Sequence, residues 1–244
     1  MNTQIEVKST GRIKLTGDEV HVWLVPLDTE PGDFARLLDS RERERAEAYR
    51  AARDRGRFIM RRGILRMLLG DYLGARPESV GVAYDGNGKP VLVGDLQGDD
   101  IRFSLSHSAG MALYAFTGIG ETGVDIERIR EMPDMEQIAV RFFSRGENEA
   151  LDALPPALRK EAFFNCWTRK EAYIKATGEG LACPLDGFTV SLAPGLPARL
   201  LSVAGNSGDA SRWTLVDLKP AAGFAAALAV KGRIGNVHYR RWAA

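Results

Sequence analysis

The sequence contains a weak internal repeat. Residues 61–70, RRGILRMLLG, align with residues 169–178, RKEAYIKATG, at an offset of 108 positions. At the same offset, the segment that begins at Val80 falls on the segment that begins at Phe188, and a short alternating strand candidate precedes each copy. Two copies are too few for a solenoid. The repeat therefore predicts two similar halves that meet near residue 120, with a ligand cleft between them.

Composition narrows the class of protein further. The 244 residues, of which 45% are hydrophobic and 27% charged, exclude a disordered or fibrous chain. A formal net charge of +1 argues against a histone-like polyanion binder. Cys166 and Cys183 lack metal-type spacing, the first residues lack the apolar core of a signal peptide, and no apolar run is long enough to span a bilayer. These features predict a soluble, cytoplasmic protein without disulfides.

An arginine-rich segment lies in the first half. Residues 36–66 contain eleven arginines, no lysine and five acidic residues, and apolar residues recur at near-helical spacing toward the end of the segment. The guanidinium group suits two-point recognition of phosphate. The segment is therefore either a phosphate-binding helix or a solvated helix face with internal Glu–Arg pairs.

Two carboxylates share one face of a predicted strand in the second half. In the sequence GVDIE, Asp125 and Glu127 lie on the face opposite Val124 and Ile126. Like charges on one face repel each other unless a cation lies between them, and Mg²⁺ is typically held by one or two carboxylates together with substrate phosphates. The segment is therefore either a metal site or an exposed edge strand.

A third carboxylate lies on a predicted helix. Glu171 follows Trp167 by four residues and precedes Ile174 by three, which places it beside an apolar stripe. A carboxylate in that position is costly unless it is paired or bound to a metal. Lys175, four residues later, offers the alternative of an ordinary salt bridge within the helix.

Two further segments carry groups that suit phosphate binding. Ser106 and His107, within FSLSHS, offer a hydroxyl and an imidazole group, and no nucleophile elbow of the G-x-S-x-G type accompanies them. Lys89 and Pro90 end the turn-rich sequence DGNGKP. This loop is either a plain hairpin turn or a turn whose lysine reaches an anion.

Together these segments resemble the 4'-phosphopantetheinyl transferase superfamily, in its long, two-domain, surfactin-synthetase-activating type. The resemblance follows the chain in order through the Arg-rich helix, GKPVL, SLSHS, GVDIERI, RFFS and WTRKEAYIKATGEGL. The WTRKEA version of the last segment is typical of the WKEA-like subgroup, which serves synthases of several pathways. One departure is Ser104, where relatives often carry Asn.

The resemblance implies an α+β fold with two similar α/β subdomains, residues 1–119 and 120–244, related by a pseudo-two-fold axis with the active site at their interface. It implies a monomeric, Mg²⁺-dependent enzyme that transfers the 4'-phosphopantetheine arm of coenzyme A to a serine of an acyl or peptidyl carrier protein and releases 3',5'-ADP. The carrier would serve fatty-acid, polyketide or nonribosomal-peptide synthesis. It would dock on the C-terminal subdomain, where residues 132–154 are the expected specificity segment.

The resemblance also implies roles for individual residues. The expected metal ligands are Asp125, Glu127 and Glu171. The expected catalytic residues are Glu171, Lys175 and His107, with Glu171 or a metal-bound water as the general base. The expected coenzyme A contacts are Arg45, Arg57, Arg61, Lys89, Pro90, Ser106, His107, Asp125 and Lys175.

Alternatives from other functional classes remain at this point. Another Mg²⁺-dependent enzyme acting on nucleotide diphosphates would share the metal site but would need no protein acceptor. A nucleic-acid-binding protein would use the Arg-rich helix and would bind with steep salt dependence, but the three acidic residues would have no role in it. An inactive family member that only binds is disfavoured by the intact set of acids.

Overall fold

Groups of strands and groups of helices follow one another along the chain. In a computed structural model, the described residues are 5–7, 11–94, 100–180 and 183–243, with the backbone alone for 5–7. Leu181, the last residue of the WTRKEAYIKATGEGL segment, lies outside them. The described helices are α1 (Ser40–Glu47), α2 (Ala52–Leu73), α3 (Met135–Phe142), α4 (Arg145–Asp152), α5 (Pro156–Thr177) and α6 (Ser207–Ala210). No helix of the described part is long and apolar enough to cross a membrane.

The strands are short and mostly antiparallel. They are β1 (Ile5–Val7), β2 (Glu19–Pro26), β3 (Gly81–Tyr84), β4 (Pro90–Val93), β5 (Arg102–Ser108), β6 (Met111–Thr117), β7 (Thr122–Arg128), β8 (Phe188–Val190), β9 (Leu200–Val203), β10 (Trp213–Leu218), β11 (Phe224–Lys231) and β12 (Asn236–Trp242). They form a five-stranded sheet of order β1-β12-β2-β6-β5, a three-stranded sheet of order β10-β11-β7, and two hairpins, β3-β4 and β8-β9.

The two halves share one topology. In the first half, β2 is followed by a 22-residue helix, the hairpin β3-β4 and two strands that pair in the order β2-β6-β5. In the second half, β7 is followed by a 22-residue helix, the hairpin β8-β9 and two strands that pair in the order β7-β11-β10. The predicted α+β fold with two similar halves is confirmed.

The helix register inferred from the repeat needs a correction. Both long helices end at a glycine in the left-handed region, Gly74 (φ 66°) and Gly178 (φ 74°), which makes these two positions equivalent at an offset of 104. Arg61 is thus equivalent to Asn165, not to Arg169. The difference of four residues is about one helical turn, so the wrong register still aligned the same helix face.

The C-terminal strand crosses between the halves. β12 lies between β1 and β2 in the first sheet and runs parallel to both. Residues from the end of the second half therefore complete the sheet of the first half. The predicted division at residues 119 and 120 does not separate the two sheets.

Each half has its own apolar core, and a third core joins them. α2 packs on the first sheet around Trp23 and Phe116, and α5 packs in the second half around Phe163. The third cluster includes Val124 and Ile126 of β7 together with residues of β2, β6 and β11. This apolar contact fixes the two sheets against each other and so fixes the polar cleft above it.

Candidate active site

A row of serines joins the two sheets at the cleft. Ser104, Ser106 and Ser108 alternate along β5 and therefore lie on one face of that strand. The Ser104 hydroxyl oxygen accepts a hydrogen bond from the Val124 amide at 3.1 Å, and Ser106 donates to Asp125 Oδ1 at 2.7 Å. Ser108 donates to the Glu127 carboxylate at 2.8 Å. The serines thus hold β7 in register with β5, with both of its carboxylates at the cleft.

The alternation predicted for β7 is observed. Val124 and Ile126 are fully buried in the core between the halves, whereas Asp125 and Glu127 line the cleft. β7 is an edge strand of its three-stranded sheet, but the exposed face of the alternative is wrong, because Asp125 is 3% exposed and β7 lies beneath α5.

Gly123 brings the helix close to this strand. A methyl group at Gly123 would overlap the carbonyl oxygen of Ala172 and the amide nitrogen of Ala176, and it would lie 3.0 Å from the carbonyl carbon of Lys175. Glycine therefore allows α5 to pack backbone against backbone on β7. This approach carries Glu171 and Lys175 to the carboxylates of β7.

Lys175 pairs across the cleft with Asp125. Its Nζ lies 2.6 Å from Asp125 Oδ1 and donates to the Ser106 hydroxyl oxygen at 3.0 Å. The lysine thus reaches to β7 instead of forming the simple helix salt bridge with Glu171. The second oxygen of Asp125, Oδ2, is buried and has no hydrogen-bond partner within the described part of the chain.

The three carboxylates lie in one cleft, and the pKa values of Glu127 and Glu171 are raised there. Burial, with a further contribution from Asp125, raises the pKa of Glu127. Burial, followed by the charges of Asp125 and Glu127, raises the pKa of Glu171. As the side chains stand, no group of three acidic, histidine or cysteine residues in the described ranges is arranged tightly enough to hold a metal ion.

The cleft between the halves has a volume of about 460 Å³ and collects most of the predicted residues. Those predicted residues are Arg61, Pro90, Ser106, His107, Asp125, Glu127, Glu171 and Lys175. Lys89 lines an adjoining cavity of about 480 Å³ that shares Pro90, Glu171 and Lys175 with the cleft.

The hairpin loop with Lys89 is fastened to the end of α5. Lys89 Nζ donates to Glu121 at 3.2 Å and to the carbonyl oxygen of Ala176 at 3.1 Å. Asn87 donates from its side chain to the carbonyl oxygen of Gly178 at 2.7 Å. The loop DGNGKP therefore bridges the two halves and is more than a hairpin turn.

Arg61 of α2 and His107 of β5 line the cleft from the first half of the chain. The Arg61 Nε is buried and has no hydrogen-bond partner among the described residues, and burial lowers the pKa of Arg61. His107 is exposed at the rim of the cleft, yet desolvation of part of its ring, followed by the charges of Arg61 and Lys175, lowers its pKa to about 4. The imidazole is therefore neutral near pH 7 and can both donate and accept a hydrogen bond.

Two predicted arginines lie outside the residues that line the cleft. Arg57 is held by Asp28 through two hydrogen bonds of 2.6 and 2.8 Å. Arg45 is exposed and stacks over the Phe58 ring, with its guanidinium carbon 5.9 Å from the ring centroid. Their assignment to coenzyme A phosphates stays a prediction.

Three residues of the cleft with charged or aromatic side chains were not assigned a role from the sequence. Arg62 is 5% exposed and lies between the rings of Phe58 and Tyr84, with 4.8 Å to the Tyr84 centroid. Tyr84 and Trp167 also line the cleft. Only Arg62 and Trp167 had a sequence signal, one as the neighbour of Arg61 and the other as the start of the WTRKEA segment.

Comparison with known proteins identifies the family. A family model described as the 4'-phosphopantetheinyl transferase superfamily matches residues 121–229. The chain is 40% identical over 223 residues to the 4'-phosphopantetheinyl transferase HetI of Nostoc. The aligned region covers 90% of this chain and 91% of that protein. It is 30% identical over 168 residues to the 4'-phosphopantetheinyl transferase Sfp of Bacillus subtilis, covering 68% and 72% of the two chains.

A solved structure was matched over part of the chain. The holo-[acyl-carrier-protein] synthase of Thermotoga maritima matches with a TM-score of 0.37 and 23% identity, over 46% of this chain and 64% of that one. The similarity to HetI covers nine-tenths of both sequences at 40% identity. The chain therefore belongs to the 4'-phosphopantetheinyl transferase superfamily.

Proposed function

We propose that this chain transfers the 4'-phosphopantetheine arm of coenzyme A to a serine of an acyl or peptidyl carrier protein and releases 3',5'-ADP. The observation that carries the proposal is the cleft itself, in which three carboxylates from β7 and α5 lie together with the side chains of Lys175, His107 and Arg61. Acidic and basic groups in one cleft suit a ligand that carries phosphates and a divalent cation.

The donor set fits Mg²⁺. Asp125, Glu127 and Glu171 supply the oxygen ligands that a hard cation prefers, and the buried Asp125 Oδ2 lacks any other partner in the described part of the chain. Burial, and after it the charge of neighbouring carboxylates, raises the pKa values of Glu127 and Glu171, and a bound cation would offset both effects. When bound there, Mg²⁺ would supply charge neutralisation at the pyrophosphate of coenzyme A.

The remaining polar residues would bind and orient the phosphates. Lys175 and Arg61 provide fixed positive charge, and the neutral His107 provides a hydrogen-bond donor at the rim. Ser106 and Pro90 line the same cleft, and Lys89 lies at the adjoining cavity. These residues would hold coenzyme A with its pyrophosphate beside Asp125.

In the transfer step, the hydroxyl oxygen of the carrier serine forms a bond to the phosphorus that bears the pantetheine arm. The bond from that phosphorus to the bridging pyrophosphate oxygen breaks, and 3',5'-ADP leaves with the electron pair. Glu171 accepts the serine proton at a carboxylate oxygen, for which its raised pKa favours it. Lys175 stabilises the negative charge on the phosphate oxygens during the exchange.

The setting of the reaction is also part of the proposal. We place the enzyme in the cytoplasm as a monomer of two subdomains, residues 1–119 and 120–244, with the carrier docking on the second. The two cysteines are both free, which suits a reducing compartment. Phe143 is buried against Phe163, so of the two adjacent phenylalanines only the half-buried Phe142 is available to a carrier.

Nucleotide release tests the proposal. The protein is incubated with coenzyme A, Mg²⁺ and an apo carrier protein, and the nucleotide products are separated by chromatography. We expect 3',5'-ADP to form in equal amount to the carrier consumed and only when the carrier is present. Nucleotide release without any carrier would contradict the proposal and would favour a hydrolase of nucleotide diphosphates.

A further inference from the structure

Glu171 and Lys170, neighbours on α5, have different surroundings. Glu171 lines the cleft, whereas Lys170 is completely buried on the side of the helix away from it. A buried ammonium group is costly unless it is paired and fully hydrogen-bonded. The family resemblance and the cleft assign no role to this lysine, so its burial requires a physical reason of its own.

All three donors of Lys170 are used. Its Nζ lies 2.7 Å from Glu147 and donates to the carbonyl oxygens of Leu185 and Phe188, each at 2.7 Å. The Nζ also lies 4.2 Å from the centroid of the Phe188 ring. An ammonium group with three short, converging contacts has one permitted position.

Glu147 joins the same point to two more segments. Its Oε1 accepts from the Val190 amide at 2.7 Å, and its Oε2 accepts from the Ser144 amide at 2.7 Å as part of the N-terminal cap of α4. The Lys170–Glu147 pair thus links the start of α4, the middle of α5 and the segment from Leu185 to the end of β8. Both side chains are fully buried.

Two of the linked segments, α5 and the segment with Leu185, line the cavity beside the cleft. Leu185 lines that cavity together with Glu171 and Lys175. Successive residues of an α-helix point about 100° apart, so a fixed direction for Lys170 also fixes the direction of Glu171. Lys175 lies four residues further on, on the same face as Glu171.

From this geometry we propose that Lys170 is a positioning residue for the transfer reaction. It fixes the rotation of α5 about its axis, so that Glu171 and Lys175 lie beside Asp125. The proposal rests on the proposed function for its kinetic readout. It differs from a role in stability alone, because an apolar pair of similar volume would stabilise the fold equally well but would not fix the helix rotation by directed bonds.

Arg169 provides a matched control on the same helix turn. It is 1% exposed and makes two hydrogen bonds to Asp217, of 2.9 and 2.7 Å, and one to the carbonyl oxygen of Ser191 at 2.6 Å. None of these described partners lines the cleft or the adjoining cavity. Arg169→Met therefore removes a buried, paired cation without touching the proposed lock.

The experiment compares Lys170→Met with Arg169→Met in full-length protein. In Lys170→Met we expect kcat per folded enzyme to fall at least tenfold, with the KM for the carrier within twofold of wild type. Arg169→Met should lower the melting temperature but keep kcat within threefold of wild type. A double variant, Lys170→Met with Glu147→Gln, leaves no unpaired buried charge and serves if the single variant does not fold.

A second readout separates this inference from the proposed function. The rise in melting temperature caused by Mg²⁺ is measured with coenzyme A and without carrier. The Mg²⁺ concentration at half of this rise should increase at least fivefold in both Lys170 variants and stay unchanged in Arg169→Met. A wild-type protein that transfers no arm would overturn the proposed function alone. Wild-type kcat and Mg²⁺ dependence in the Lys170 variants, or equal losses in Arg169→Met, would overturn the positioning role.

Discussion

Replacing Gly123 by alanine should separate the helix from the strand at the centre of the site. The added methyl group would overlap backbone atoms of Ala172 and Ala176, which cannot move aside as a side chain can. Because carbon atoms in contact lie about 3.5 Å apart, α5 would have to retreat from β7 by about 1 Å or more. The 2.6 Å contact between Lys175 and Asp125 would then be lost or stretched.

The expected magnitude follows from that displacement. Overpacking of this kind costs about 1–3 kcal/mol of unfolding free energy. A misplacement of about 1 Å at reacting groups costs about 100-fold in rate. We therefore expect Gly123→Ala to lose moderate stability in urea unfolding and about 100-fold in transfer rate per folded enzyme.

Gly118→Ala is the matched control for this prediction. Gly118 is exposed in the turn between β6 and β7, and nothing lies within 4 Å of a methyl group at this position. This substitution should change the unfolding free energy by less than about 0.5 kcal/mol and leave the transfer rate unchanged. If Gly123→Ala unfolded and reacted like wild type, the proposed dependence of the site on the close approach of α5 to β7 would be refuted.

Three further substitutions test single residues. Glu171→Gln should lower kcat by about 10²–10⁴-fold without lowering the melting temperature, and a rate near wild type would remove Glu171 as the base. Asp28→Asn frees Arg57 from an exposed ion pair that contributes about 0.2–1 kcal/mol. If Arg57 binds phosphate, the KM for coenzyme A should fall by up to about fivefold, and an unchanged KM would contradict that role. Burial, then the charge of Arg240, lowers the pKa of His21 to about 4, below its ordinary 6.5. Because the unfolded chain then binds the proton more readily, the free energy of unfolding should fall by about 2 kcal/mol from near pH 7 to near pH 5. His21→Gln should remove this loss in urea unfolding, and an identical pH dependence in the variant would refute the role of His21.

The acids of the site could be predicted from the sequence because their pattern is local. Alternation along a strand places Asp125 and Glu127 on one face, and helical spacing places Lys175 one turn after Glu171. These rules depend only on backbone geometry and survive any tertiary arrangement. The partner of Lys175 was not predictable in this way, because it depends on how closely α5 approaches β7, and that distance is set by Gly123.

Long-range contacts account for most differences between the structure and the predictions from the sequence. Arg57 carries the same charge as Arg61 and lies four residues before it, but Asp28, far away in sequence, takes up its guanidinium group. The insertion of β12 beside β2 also pairs residues more than 200 positions apart, for which the repeat gave no signal. The helix register shifted by one turn because an apolar stripe looks the same after four residues.

The mass of the carrier protein tests the central claim most directly. An apo carrier is incubated with this protein, coenzyme A and Mg²⁺ and then weighed by intact-protein mass spectrometry, beside a carrier whose acceptor serine is replaced by alanine. We predict that the carrier gains the mass of one phosphopantetheine arm, that the alanine carrier gains none, and that chelation of the metal abolishes the gain. No gain on carriers of fatty-acid, polyketide and nonribosomal-peptide type would contradict the assignment of this chain as a phosphopantetheinyl transferase.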